Sequence, residues 1–217
     1  MHKATSCTKA VEMIPDGATL MIGGFLGIGT PKRMIDEIVR QGKKNLTIIA
    51  NDTGRPDLGI GKLIVARLVK KVVASHIGTN PETQKQMIAG ELEVVLTPQG
   101  TLAEQIRAGG YGLGGVLTAT GIGTTVAEGK QTIELQGKTY LIELPLHADF
   151  ALIAAHRADY HGNLEYALTA RNFNSLMAFS ADTVFAEPDH IVPVGVIPPD
   201  AVITPFCCVD YIIERSN

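Results

Sequence analysis

The stretch Thr19-Leu20-Met21-Ile22-Gly23-Gly24-Phe25-Leu26-Gly27-Ile28-Gly29-Thr30-Pro31 decides the architecture, together with the segment that follows it to Gln41. Four apolar residues predict a short strand, the glycines a tight loop, and residues 31–41 an amphipathic helix. Thr30 is expected to cap that helix, Pro31 to take its first position, where a missing N–H costs nothing, and Gly42 to end it. Met34, Ile35, Ile38 and Val39 form one apolar stripe at helical spacing. The strand is apolar on both faces, which fits a sheet covered by helices on both sides.

The same unit recurs three times. Apolar runs at residues 46–50, 71–75 and 92–96 each lead through a polar or glycine-rich loop into amphipathic segments at 62–68, 82–89 and 101–108. Strand–helix alternation with short loops predicts an α/β fold, an open and mostly parallel sheet with helices on both faces and right-handed crossovers. From Gly109 the rhythm changes, with eight glycines in residues 109–129 and no helical period. Thr132–Leu135 and residues 138–142 flank Gln136-Gly137, a hairpin turn signal. A second hairpin is expected to pair 150–155 with 164–170 around Tyr160-His161-Gly162-Asn163. A helix at 173–181 and a strand at 183–186 should follow, and the proline-rich last third should close the sheet in extended pieces. These are antiparallel additions to one domain spanning residues 1–217, since no linker or repeat interrupts the chain.

Charge and composition exclude several classes. A net charge of −3 and basic runs no longer than Lys43-Lys44 or Lys70-Lys71 give no electrostatic reason to expect nucleic acid. No apolar run approaches the ~20 residues of a membrane span, and the first 13 residues alternate polar and apolar, unlike a signal peptide. Three cysteines, two of them adjacent, read as reduced thiols in a cytoplasmic protein, Cys207 and Cys208 serving as small apolar residues near a strand.

Ligands of parallel α/β sheets bind beyond the carboxyl ends of the strands. There the sequence sets Gly23 to Gly29, then Asn51-Asp52-Thr53-Gly54, His76-Ile77-Gly78-Thr79-Asn80 and Pro98-Gln99-Gly100. The set reads as neutral and rich in amides and glycine. It lacks the paired carboxylates of a glycosidase and the ligand clusters of a metal site. The glycine order is G-x-x-G-x-G rather than G-x-G-x-x-G, and no G-x-x-x-x-G-K-[ST] loop exists, so nicotinamide and ATP are not expected. Glu82 and Glu104 read as first-turn acids favoured by the helix dipole, Glu187 as a turn residue and Glu143 as solvent-facing. His156 and His161 read as turn or strand-edge residues without metal spacing, and His76 sits at the mouth of the site.

Residues 16–31 resemble the A-subunit signature of the 3-oxoacid, or family I, CoA transferases. The likeness continues through Ala50-Asn51-Asp52-Thr53, Ser75-His76-Ile77-Gly78-Thr79-Asn80-Pro81-Glu82 and Thr97-Pro98-Gln99-Gly100-Thr101-Leu102-Ala103-Glu104. It runs on through Ile106-Arg107-Ala108-Gly109-Gly110, Thr118-Ala119-Thr120-Gly121-Ile122-Gly123-Thr124 and Ala170-Arg171-Asn172-Phe173-Asn174. Within the family the chain is most similar to alpha subunits of bacterial acetate/butyrate–acetoacetate CoA transferases. The resemblance implies ping-pong exchange of CoA between short-chain acyl-CoA (acetoacetyl-, acetyl- or butyryl-CoA) and a carboxylate. It implies a glutamate nucleophile on a beta subunit in a Ser-Glu-Asn-Gly motif, an α2β2 heterotetramer, and no permanently bound cofactor. This chain contains no Ser-Glu-Asn-Gly, which assigns it to the non-nucleophilic half.

Carried over residue by residue, Gly23, Gly24, Phe25, Leu26, Gly27, Ile28 and Gly29 match the segment that contacts CoA. Asn51 and Gln99 are the assisting candidates, neutral amides able to bind a carboxylate or a developing oxyanion. The glycine-rich stretch 109–123 reads as a lid or as the surface for the partner, with Leu113, Val116, Leu117 and Ile122 favouring the partner. Two rival readings remain at this level. A sugar-phosphate isomerase-like enzyme would need a basic phosphate clamp and an acid/base pair, and an effector-binding module would carry a helix-turn-helix ahead of Thr19; neither feature is present.

Overall fold

Short strands that are apolar on both faces hold together only when helices bury both, and the chain builds that arrangement around the strand at Thr19–Ile22. In the computed structural model, which describes residues 3–214, the first half runs β1 (Ala4–Thr5), α1 (Cys7–Glu12), β2 (Thr19–Ile22), α2 (Lys32–Gln41), β3 (Leu46–Ile49), α3 (Gly61–Val65), β4 (Val69–Ala74), α4 (Pro81–Ile88), β5 (Glu93–Leu96) and α5 (Gln99–Gly110). The second half adds β6 (Val116–Thr118), β7 (Thr132–Leu135), β8 (Lys138–Glu143), β9 (Ala148–Asp159), β10 (Leu164–Glu165), α6 (Asn174–Met177), β11 (Ala181–Val192) and β12 (Tyr211–Ile213).

The main sheet has the order β1-β12-β11-β9-β2-β3-β4-β5, with every neighbouring pair parallel and β10 antiparallel on β9. Strands β6, β8 and β7 form a separate antiparallel sheet. The expected α/β class is therefore what the chain adopts. Alternation along β2 divides the core: Leu20 and Ile22 join α1, α2 and α3 on one face, while Met21 joins α5 and α6 on the other. Each such side chain contributes about 1.5–3 kcal/mol on burial. Met34, Ile35 and Ile38 of the expected stripe are fully buried and Val39 packs at its edge.

Several boundaries differ from the sequence reading, each for a physical reason. Helix α3 stops at Val65, because Arg67 turns to φ +56° and the Leu68 carbonyl already accepts from Leu46 N–H at the entry to the sheet. Helix α5 starts at Gln99, so Glu104 lies in its second turn, paired with Arg107 at 3.0 Å; Glu82 does occupy the first turn of α4. The Gln136-Gly137 hairpin forms as expected, both residues having positive φ. The second hairpin forms only at its tip, Leu164 and Glu165 pairing with Ala158 and Arg157. Residues 150–155 instead lie within β9, sandwiched in parallel between β2 and β11. Helix α6 covers four residues rather than 173–181, and β11 is twelve residues long rather than 183–186, because it follows β9 along its whole length. Glu143 is buried, not solvent-facing: Lys130 Nζ lies 2.6 Å from one oxygen and Gln105 Nε2 3.2 Å from the other.

The start of α2 is the largest departure. Pro31, not Thr30, is its N-cap, and no local side chain caps it. The free N–H groups of Arg33 and Met34 donate instead to the two oxygens of Glu187, at 3.0 and 2.8 Å, with Arg33 Nε 3.5 Å away. Glu187 is thus no turn residue. It sits mid-strand in β11 and caps a helix 154 positions earlier in sequence. Burial raises its carboxyl above the usual glutamate range, opposed by the two N–H groups and the Arg33 guanidinium.

Glu187→Ala should cost about 1–2 kcal/mol in equilibrium unfolding, the loss of a helix cap. The raised acid contributes stability that is full below the unfolded value and lost as pH climbs through the folded one. The stability of Glu187→Gln relative to the parent should therefore improve as pH rises from about 4.3 upward. A difference independent of pH would contradict the burial argument.

Candidate active site

The carboxyl ends of β2, β3, β4 and β5 open onto one hollow of about 370 Å³, lined by Phe25, Leu26, Asn51, Asp52, Ser75, His76 and Gln99. Parallel pairing brings these together. Asp52 and His76 continue the β3–β4 ladder by one bridge, and Ser75 N–H donates to the Asn51 carbonyl at 2.9 Å. Gln99 opens α5, immediately after β5.

A chain of short hydrogen bonds runs through the hollow. Asn51 donates Nδ2 to Asp52 Oδ2 at 2.6 Å and accepts at Oδ1 from Gln99 Nε2 at 2.6 Å and Ser75 Oγ at 3.2 Å. Asp52 also accepts from Leu26 N–H at 2.9 Å and Gly54 N–H at 2.7 Å. Asn51 and Asp52 are buried and Gln99 is exposed. The two predicted amides are therefore adjacent but unequal: Asn51 is committed to three side chains, and Gln99 is the one that faces out. The first turn of α5 carries no acidic residue and no side-chain cap, so its N–H groups and the positive end of its dipole stand at the rim of the hollow.

The set is not neutral, contrary to the sequence reading, because Asp52 is a buried carboxylate at its floor. An acid directly after a buried strand and two residues before a glycine is an Asx-turn signal. That signal was available in Asp52-Thr53-Gly54 and would have placed the residue.

The glycine loop stands between two hollows. Phe25 and Ile28 exchange two backbone hydrogen bonds at 3.0 and 2.9 Å around Leu26 and Gly27, which have φ of +48° and +86°. This two-residue turn needs positive φ twice, and Gly27 supplies one at no steric cost. Gly23 is required for a different reason: a Cβ there would meet Asn174 Oδ1 at 1.8 Å. Phe25 and Leu26 border the first hollow. Gly27, Ile28 and Gly29 border a second one of about 310 Å³, whose other walls include Lys32, His156, Tyr166, Glu187 and Asp189. Burial pushes the Tyr166 phenol up to about 12, so it stays neutral in that wall.

The remaining sequence candidates lie elsewhere. His161 packs against Phe206, and His156 faces Asp189 at 3.6 Å beside the second hollow. Among the described residues no group of three or more His, Cys, Asp or Glu is placed to hold a metal, and no helix is long and apolar enough to cross a membrane. All three cysteines are free, with Cys207 exposed in the turn before β12.

The chain is similar to known proteins over nearly its whole length. The family model described as coenzyme A transferase matches residues 4–215. The acetate CoA-transferase subunit alpha of Escherichia coli is 57% identical over 99% of this chain and 98% of its own. The acetoacetyl-CoA:acetate/butyrate CoA transferase alpha subunit of Clostridium acetobutylicum is 52% identical over 92% of each. An acyl-CoA transferase from Escherichia coli O157:H7, solved as a thioester complex with CoA, superimposes with a TM-score of 0.87 at 23% identity. It contains this fold within a longer chain, since the match covers 99% of the present chain and 47% of that one. The chain belongs to the coenzyme A transferase family, among its alpha (A) subunits.

Proposed function

We propose that this chain works with a beta subunit in an α2β2 heterotetramer, exchanging CoA between a short-chain acyl-CoA (acetoacetyl-, acetyl- or butyryl-CoA) and a free carboxylate in the cytoplasm. The observation that carries this reading is the Gln99 amide, fixed by Asn51 at the mouth of the hollow and set on the uncapped start of α5. Neutral amide donors and a helix N-terminus suit a carboxylate substrate and an oxyanion without adding a proton of their own.

The reaction requires a carboxylate nucleophile that the beta subunit supplies. A glutamate attacks the thioester carbonyl, and collapse of the tetrahedral oxyanion expels CoA thiolate and leaves an acyl–glutamyl anhydride. The thiolate attacks the glutamyl carbonyl, releasing the first carboxylate and forming a glutamyl–CoA thioester. The second carboxylate reverses these steps and leaves as a new acyl-CoA. No oxidation state changes, so the chemistry needs no redox cofactor. In this scheme Gln99 stabilises the oxyanion, and Asn51, held by Asp52, keeps Gln99 in place. Gly23 to Gly29 contact CoA; the N–H groups of Gly27 and Gly29, which make no hydrogen bond among the described residues, are the donors available for it.

Purified alone, this chain should not exchange CoA between acetoacetyl-CoA and acetate, and adding the beta subunit should restore turnover. Robust turnover by the isolated chain would sink the division of labour. In the complex, Gln99→Ala should lower the rate roughly 10²–10³-fold, the loss of one oxyanion donor, about 2.7–4 kcal/mol. Asn51→Ala should lower it less; wild-type kinetics for Gln99→Ala would remove that residue from the site.

Gly27→Val should abolish most transfer while the complex still assembles. A β-branched residue is strained at φ +86°, and its side chain would press on Leu58, 2.4 Å from the Cβ position. A variant that turns over normally would show that the loop is not at the site.

A further inference from the structure

The segment Ala170-Arg171-Asn172-Phe173-Asn174 is more than 140 residues from the glycine loop in sequence, yet it grips that loop from below. Asn172 does so at both ends of the turn. Its Oδ1 accepts from Gly24 N–H at 3.1 Å, and its Nδ2 donates to the Ile28 carbonyl at 3.0 Å. The same amide is anchored in its own segment, accepting from Phe173 N–H at 2.6 Å and donating to the Thr169 carbonyl at 3.0 Å. Asn174 continues the grip, donating Nδ2 to the Gly29 carbonyl at 2.8 Å while its Oδ1 accepts from Ala154 N–H of β9 at 2.9 Å.

Two further features make this grip specific to the loop's shape. The turn cannot relax inward, because Gly23 already lies against Asn174, and its far side is held by Asp52 through Leu26 N–H. The Gly24 N–H is satisfied by Asn172, and the Ile28 carbonyl, which already accepts from Phe25 N–H inside the turn, takes its second donor from the same amide; only a side chain with both an acceptor and a donor reaches both. Asparagine has both in one plane. Alanine removes both, and aspartate keeps the acceptor but faces two carbonyls with a third oxygen.

We propose that Asn172 is a positioning residue for acyl-CoA: it fixes the turn 25–28 so that the loop is formed before the coenzyme arrives. This rests on the reading that the glycine loop contacts CoA. Contacts prepared in advance lower the ordering cost of binding, and they matter most in the half-reaction that takes acyl-CoA from solution. In the second half-reaction CoA is already joined to the enzyme, so a loosened loop weakens ground state and transition state alike and the rate changes little.

The test uses Asn172→Ala and the near-isosteric Asn172→Asp in the assembled complex, with acetoacetyl-CoA as donor and acetate as acceptor. Both variants should lower kcat/KM for acetoacetyl-CoA about tenfold or more and leave kcat/KM for acetate within about threefold. Hydrogen exchange of the bonded amides of Gly24, Phe25, Leu26 and Ile28, measured without substrate, should accelerate at least about tenfold. If Asn172→Ala fails to assemble, Asn172→Asp carries the test alone. Unchanged exchange in the loop overturns the clamp and leaves the loop's role in CoA binding standing. Accelerated exchange with unchanged kcat/KM for acetoacetyl-CoA overturns the proposal through the loop reading itself. Equal loss in both half-reactions overturns it as well, since that is the mark of a general structural defect.

Discussion

The site depends on one buried carboxylate. Asp52 collects three donors, from Asn51, Leu26 and Gly54, and so joins the end of β3 to the turn that follows β2. Through Asn51 it also reaches Gln99, which belongs to the helix after β5. A buried anion is tolerable only when its oxygens are satisfied, and here every donor comes from the loops it organises. Charge, turn geometry and the orientation of Gln99 are therefore set together.

Much of this was legible in the sequence because it is local. The strand–glycine–helix unit at Thr19 to Gln41 declares a parallel α/β sheet, and the apolar stripe from Met34 to Ile38 names the buried face. Asn51 and Gln99 follow from a general rule about strand ends, and the structure sets them in one hydrogen-bonded chain. What stayed hidden is what crosses the sequence. Glu187 caps α2 from a distant strand, so a local rule assigned the cap to Thr30. Residues 150–155 look like half of a hairpin, because nothing local announces that β9 will pair in parallel with both β2 and β11. Asp52 is the exception, since its turn with Gly54 is local and lies open in the sequence Asp52-Thr53-Gly54.

The grip of Asn172 and Asn174 on the glycine loop has the same character. A glycine-rich loop read alone suggests freedom, yet this one is held at Gly24, Leu26, Ile28 and Gly29 by three side chains, Asp52, Asn172 and Asn174, from two separate parts of the chain. Gly23, against Asn174, and Gly29, against Ala170 and Asn172, are thus consequences of close packing on that segment rather than signs of mobility. On the proposed reading, an alpha subunit without its own nucleophile contributes rigidity: a preformed wall for the coenzyme and a fixed amide for the oxyanion.

That division of labour is tested most directly by trapping the covalent intermediate. A glutamyl–CoA thioester is an activated acyl group that borohydride reduces, whereas an ordinary carboxylate resists it. The assembled complex would be incubated with acetoacetyl-CoA, treated with borohydride, separated into its chains and mapped by peptide mass spectrometry. The expected result is one reduced glutamate on the beta subunit, with Glu82, Glu104, Glu187 and every other acid of this chain unmodified. Stoichiometric reduction of any glutamate in this chain would contradict the assignment of the nucleophile to the partner.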